Sequence, residues 1–305
     1  MDAPALGTGG VPGRAGGWSI LVRSTKTLLQ LGAAALLTAY VLKTFVVEAY
    51  RIPSSSMENT LLVGDFILVN KFQYSVSTPR TLPLTSIPIP HLRLPGLSSP
   101  RRGDVMVFRF PGERDEPRPD RPVTYVKRCV GLPGDTLRIV DKQIFVNGWL
   151  VATTGGVKTS PDRLYPFGFR DHRIFPRGYR FNEDNYGPIT VPRAGSTIPL
   201  LPETVAEWWS LVEREGHSVR LEPDGTVLVD GVPATSYGVE EDHYFVMGDN
   251  RDNSLDSRFW GFVREDDLIG KAMVLYWSWD LSGRQRGPFG RFSAVRWERV
   301  GRLIR

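Results

Sequence analysis

The hydrophobic pattern divides the chain early. Residues 1–27 are rich in Gly, Ala and Pro, carry Arg14, Arg23 and Lys26, and read as a disordered, positive leader. Leu28 to Glu48 then reads LLQLGAAALLTAYVLKTFVVE, apolar apart from Gln30, Thr38, Lys43, Thr44 and the closing Glu48. A helix of that length spans roughly 30 Å, close to the hydrocarbon thickness of a bilayer. Lys43 lies near an end, where its stem can snorkel. Three readings are open: a membrane anchor, a cleaved secretory signal and a buried soluble helix. Val47-Glu48-Ala49 has cleavage-site spacing, but core-like sequence runs straight on through Tyr50-Arg51-Ile52-Pro53, which favours the anchor. The positive leader then points to a cytoplasmic N-terminus with the remainder exported.

Beyond the anchor the pattern is mostly β. Phe66–Val69, Val105–Phe110, Val123–Val130, Leu137–Val146, Val227–Val229, Tyr244–Met247 and Lys271–Trp279 are short runs rich in Val, Ile, Phe, Tyr and Trp. Asn147-Gly148, Asp224-Gly225 and Asp230-Gly231 supply turns, and the likeness of Ile144–Gly148 to Val227–Gly231 suggests two similar hairpins. Residues 78–101 hold six prolines and read as an exposed loop with no strand of its own. Residues 151–240 read as an inserted lobe with one helix at Pro202–Glu215, and 281–305 as a basic tail. The arginine-rich end of that tail, Arg291–Arg305, either forms a solvated or core-docked helix or adds a weak attraction to anionic headgroups.

Composition narrows the classes. With 305 residues, 41% hydrophobic and 23% charged, the chain is neither collagen-like nor disordered as a whole. The net charge of +5 is mild and scattered, so no nucleic-acid partner is expected. Cys129 is the only cysteine, which excludes an intramolecular disulfide and a Cys-based zinc site. His91, His172, His217 and His243 never approach the spacing that puts two ligands on one helix face, so neither metal nor cofactor is expected.

Three segments could carry chemistry. Ile52–Leu61 (IPSSSMENTL) reads either as a helix start, with Ser55 and Glu58 as a capping box, or as a hydroxyl held at a Pro-fixed corner beside an apolar Met, a nucleophile's setting. In Val123–Val130 a period of two puts Val123, Tyr125, Lys127 and Cys129 on one strand face. Lys127 either snorkels to water or, if desolvated, becomes a free amine and a base near neutral pH. Only seven of the 38 basic residues are lysines, so a lysine in an unusual setting stands out. Met247–Arg258 (MGDNRDNSLDSR) lacks the sixth-position Gly and terminal Glu of a calcium loop. It reads as a polar turn or as a loop of Asp/Arg pairs that orients side chains in a site. His243 near Asp249 raises a Ser–His–Asp triad, but no Gly-x-Ser-x-Gly elbow accompanies it.

Together these motifs resemble bacterial type I signal peptidases, membrane-anchored serine proteases that remove signal peptides from exported proteins. The matching stretches, in family order, are Pro53–Met57 with Thr60-Leu61, Gly64–Val69 with Lys71, Arg102–Val105, Tyr125–Arg128 with Gly131–Asp135, and Gly248–Ser254 with Asp256–Arg258. Ser55 stands where the family often has Gly, and Asn59 where it often has Pro. The resemblance implies a signal-peptidase-like β fold with an inserted β-rich lobe behind one N-terminal transmembrane helix. Residues 49–150 and 241–280 would form the catalytic β domain. It implies Ser56 as nucleophile, Lys127 as general base, Ser54 as oxyanion donor beside the Ser56 N–H, Ser254 as the residue that hydrogen-bonds the lysine amine, and Asp256 with Arg258 as a supporting ion pair. Asp249 and Arg128 would be scaffold. Shallow pockets for small residues before the cut would be lined by Tyr50, Ile52, Pro53, Met57, Leu61, Ile67, Val107, Tyr125 and Val126. The implied substrates are exported preproteins, with the lipid bilayer and the secretion translocon as partners. The implied location is the outer face of the cytoplasmic membrane. Two readings remain beside it: a Ser–Lys endopeptidase maturing one secreted or conjugative factor, and an inactive membrane-tethered binding protein on the same fold.

Overall fold

The computed structural model describes residues 16–41, 46–77, 87–88, 90, 92–119, 121–152, 156–160, 162–281 and 294–305. The chain divides into two units, Met1–Val46 and Val47–Arg305. In the first, helix α1 runs Gly16–Val41, so it begins within the stretch expected to be a disordered leader. Residues 1–15 of that leader, and Lys43, lie outside the described residues. Leu28, Leu29, Leu31, Leu36 and Leu37 of α1 are all exposed. Among the described residues no helix is long and apolar enough to cross a membrane.

The anchor's expected end at Glu48 is also corrected. Val47–Arg51 is strand β1, antiparallel to β2 (Asp65–Asn70), with Ala49 opposite Leu68. Glu48 meets Lys71 at 3.2 Å. Ladder bonds to β2 and this ion pair outweigh the apolar continuity that suggested a longer helix. The proline-rich loop is corrected too. Ser75–Ser77 (β3) pairs with Arg93–Pro95 (β4), and Pro95 closes the strand where its missing N–H costs no ladder bond. His91 of this loop is outside the described residues.

Val105–Arg109 (β5) and Thr124–Gly131 (β6) form within one residue of the expected runs, although burial along them is continuous rather than alternating. Leu137–Val146 folds instead into two strands, β7 (Thr136–Val140) and β8 (Gln143–Val146), because Asp141 and Lys142 take positive φ and reverse the chain. β9 (Trp149–Leu150) follows through Asn147-Gly148, where φ of 53° and 83° makes the tight hairpin turn that this dipeptide favours. Next come β10 (Tyr186–Thr190), β11 (Thr197–Pro199), α2 (Val205–Arg214) and β12 (Val219–Leu221). β13 (Val227–Val229) and β14 (Val232–Pro233) turn at Asp230-Gly231 with φ of 51° and 79°, the twin hairpin anticipated above. β15 (Ser236–Gly238), β16 (His243–Met247), α3 (Ser257–Trp260), β17 (Val263–Arg264), β18 (Leu268–Ser278) and β19 (Arg302–Leu303) complete the chain.

The main sheet has the order β1-β2-β18-β5-β6-β16-β17, with β19 also on β18. β18 is eleven residues long and its register slips at three places, Leu268/Gly270, Ala272/Val274 and Leu275/Trp277. Bulges bend and twist a sheet, so this central strand curls it. β10 pairs with β7, which makes the small sheet β10-β7-β8-β9 continuous across residue 150. Of the C-terminal tail, residues 294–305 are described: Trp297–Arg299 form a single 3-10 turn, Arg302–Leu303 add β19, and Arg299 is buried against Asp65 at 2.6 Å. Beneath the Pro53–Met57 corner lies a core of Ile52, Met57, Leu61, Ile67, Val69, Val105, Val107 and Ala272.

Candidate active site

Ser56 is held by its neighbours. The Ile52 N–H donates to Asp65 O (2.8 Å) and Ile52 O accepts from Gly64 N–H (3.0 Å), stitching the corner to the head of β2. Met57 and Leu61, 2% and 0% exposed, anchor it from below. From Ser56 the chain makes tight turns, with Glu58 N–H on Ser55 O and Leu61 N–H on Met57 O. No helix starts here and the Ser55–Glu58 capping box is not made. Ser55 Oγ accepts from Asn253 Nδ2 (3.1 Å), while Glu58 Oε2 accepts from Asn250 Nδ2 and pairs with Lys158, both at 3.0 Å. Distant polar partners have captured both groups. Ser56 O accepts from Asn250 N–H (3.0 Å), whereas among the described residues no main-chain acceptor engages the Ser56 N–H.

Lys127 comes from the opposite side of the sheet order. β6 pairs with β5 along Thr124–Arg128, but β16 reaches it only from Arg128 onward, so its other edge is open over residues 124–127. Lys127 Nζ lies 2.5 Å from Ser56 Oγ and 5.5 Å from the centre of the Tyr125 ring. The residue is only 5% exposed, which rules out snorkelling to water. Burial pushes its pKa down from 10.5 to about 8; Asp256 and Asp249 pull it up, and Arg258 opposes them. Each of those carboxylates already has its own arginine. Asp256 pairs with Arg258 at 2.8 Å and Asp249 with Arg128 at 2.7 Å, all four buried. The lysine is therefore surrounded by neutral pairs, and desolvation decides its charge.

Residues 248–258 form the self-bonded Asp/Arg loop. Asp256 accepts from Gly248 N–H (3.0 Å) and Arg258 Nη2 donates to Arg251 O (2.7 Å). Gly248 has no room for a side chain: a Cβ there would run into Ser254 and the Ser56 carbonyl. Ser254 differs from expectation. Its Oγ is buried without any hydrogen-bond partner and does not bond Lys127, although both line the same cleft.

That cleft, about 470 Å³, collects Ser54, Ser56, Lys127 and Ser254 with Tyr50, Ile52, Pro53, Met57, Tyr125 and Val126. β1 and β6 stand at the first and fifth places of the sheet order, so only a curled sheet lets their ends line one groove. Leu61, Ile67 and Val107, expected in the pocket walls, are instead fully buried in the core behind them. Sequence reasoning missed Arg173, Glu183, Leu255 and Phe259, which also line the cleft. The lobe delivers Arg173 and Glu183: Arg258 Nη1 donates to Glu183 O (3.0 Å), the Phe175 N–H donates to Arg258 O (2.8 Å), and Arg173 lies over the Phe259 ring. The one signal for this was the polar run Asn182–Asn185 among aromatics, now buried. His243 is absent from the cleft lining. It is buried against Glu241 O (2.9 Å), and burial pushes its pKa down to about 3.

A serine hydroxyl within hydrogen-bond reach of a desolvated lysine, on a curled β sheet, fits the class of serine peptidases. The sequence matches the family model for signal peptidase, peptidase S26, over residues 25–277, and the chain belongs to that family of serine endopeptidases, which cleave signal peptides from preproteins. It is 36% identical over 255 residues to signal peptidase I of Pseudomonas aeruginosa, covering 80% of this chain and 69% of that one. Signal peptidase I of Buchnera aphidicola (strain APS) is 32% identical over 278 residues, 88% and 78% of the two chains. That of Aquifex aeolicus is 32% identical over 252 residues, 80% of each. A crystal structure of a signal peptidase I from Enterococcus faecalis aligns with a TM-score of 0.25 at 20% identity, covering 58% of this chain and 98% of that one, too little likeness to carry an argument.

Proposed function

We propose that Ser56 is the nucleophile and Lys127 the general base of this endopeptidase, the carrying observation being the 2.5 Å approach of Nζ to Oγ inside the cleft. Neutral Lys127 takes the Ser56 proton as Oγ attacks the scissile carbonyl, then returns it to the leaving amine. Water, deprotonated by the same amine, releases the acyl group. The unengaged Ser56 N–H and the Ser54 hydroxyl, both at the cleft, stabilise the oxyanion. Ser254, with its unpartnered hydroxyl, is the group available to orient the amine once Ser56 has given up its proton. Asp256 and Arg258 hold the loop that carries it.

The substrate is an extended preprotein segment that adds to the open edge of β6 at 124–126 and to the chain at 52–56. Tyr50, Ile52, Pro53, Met57, Tyr125 and Val126 leave shallow apolar pockets that select small residues before the cut. The apolar stretch from Leu28 anchors the protein in the cytoplasmic membrane with Val47–Arg305 on its outer face, near the translocon. The exposed leucines of α1, which water does not favour, support this. Protease added to intact spheroplasts is expected to digest Val47–Arg305; protection of that unit would contradict the orientation. For the chemistry, purified Ser56→Ala and Lys127→Ala should each fail to cleave a generic preprotein while keeping the wild-type melting profile. Turnover by either, free of host enzyme, would overturn the assignment.

A further inference from the structure

Behind the 248–252 loop, Arg102, Arg128 and Arg251 converge on a cavity of about 140 Å³, whose other walls include Gly103, Ile144 and Ala152. The reaction uses none of these arginines directly. Arg128 has its donors engaged, by Asp249 through Nε and Nη2, by Thr60 Oγ1, and by the Gly103 and Arg305 carbonyls. Arg102 donates from Nη1 to Val130 O and from Nη2 to Asp135 (2.9 Å), which leaves three of its five N–H groups unassigned. Arg251 is the unusual one. It is 5% exposed, its Nε donates to Gly248 O (3.1 Å), and its two Nη groups meet no acceptor among the described residues. Among the described residues no carboxylate lies within ion-pair distance of it, because Asp249 and Asp256 face Arg128 and Arg258. Burial pushes its pKa down to about 10, as for a cation lacking a counter-charge. A largely buried guanidinium without a counter-charge is costly, and its planar fork matches an oxyanion.

We propose that this cavity binds a small inorganic oxyanion of the phosphate or sulfate class, held by Arg251 and Arg102, with the Arg128–Asp249 pair forming part of the wall. The ligand is the free ion, and the test below separates it from the phosphate of a lipid headgroup. Binding fixes Arg251, whose Nε holds Gly248, the residue wedged between Ser254 and the Ser56 carbonyl. The ion thereby stiffens the loop behind the cleft without touching substrate.

The test is the melting temperature of the full chain in nonionic detergent, titrated with sodium phosphate against sodium gluconate at matched ionic strength. A saturable rise of several degrees with phosphate alone is expected, because a ligand that binds only the folded state raises Tm. Ser56→Ala should show the same rise, which separates this site from the cleavage chemistry. Arg251→Met and Arg102→Met should lose it. Arg102 is partly exposed, so its variant decides the matter if Arg251→Met does not melt cooperatively. No rise beyond gluconate, an equal rise in Arg102→Met, or a rise with phosphatidylglycerol vesicles but not with phosphate would overturn the proposal.

Discussion

At the scale of single residues, the site depends on what has been removed from Lys127: water, and net charge from its neighbours. The same logic ranks the hydroxyls. Ser54→Ala removes one oxyanion donor and should lower kcat by about 10²–10³ with little change in KM, since such a donor acts mainly in the transition state. Steady-state kinetics on a peptide substrate checks this. His243→Ala should leave kcat/KM within a few-fold of wild type, because that ring is buried away from the cleft. Gly248→Ala should abolish activity, since its methyl group displaces Ser254 or the Ser56 carbonyl.

At the scale of elements, the nucleophile corner is a set of turns locked from both sides, and Asn59 shows why its sequence matters. Asn59 has φ of 79°, a conformation that Asn tolerates and that proline, fixed near −65°, cannot reach. Although the resembled family often has Pro there, Asn59→Pro should destabilise this chain by about 3 kcal/mol or more. Asn59→Gly should stay within about 1 kcal/mol of wild type. Urea denaturation distinguishes the two. Strand positions were legible because β-branched and aromatic residues gather in short runs, as in β5, β6 and β13. What misled was local plausibility: Ser55 and Glu58 look like a capping box, yet Asn253 and Asn250, nearly two hundred residues on, take both side chains. The end of the apolar run was misplaced for a like reason, since Val47 and Glu48 find a ladder on β2 that periodicity cannot reveal.

At the scale of the whole molecule, ion pairs between distant segments tie the site together. Arg128 joins β6, the 248–258 loop, Thr60 and the Arg305 carbonyl. Arg128→Met should cost about 3–5 kcal/mol by leaving Asp249 buried and unpaired. Arg128→Met with Asp249→Leu should recover much of that loss in the same urea experiment. Ser56 and Lys127 were readable because each lies in a motif whose residues are also neighbours in space. Arg173 and Glu183 were not, since their place in the cleft depends on how the lobe docks on Arg258. Leu61, Ile67 and Val107 share segments with pocket residues but face the core, and sequence does not separate a wall from what stands behind it. The central claim is that one desolvated lysine does the proton transfer. Its most direct test is kcat/KM against pH for wild type and Lys127→Arg on a preprotein substrate. Only the neutral amine can accept the proton, so wild-type activity should rise about tenfold per pH unit below about 8 and level off above it, with Lys127→Arg inactive throughout. A profile that levels off near the ordinary histidine range, or turnover by Lys127→Arg, would contradict it.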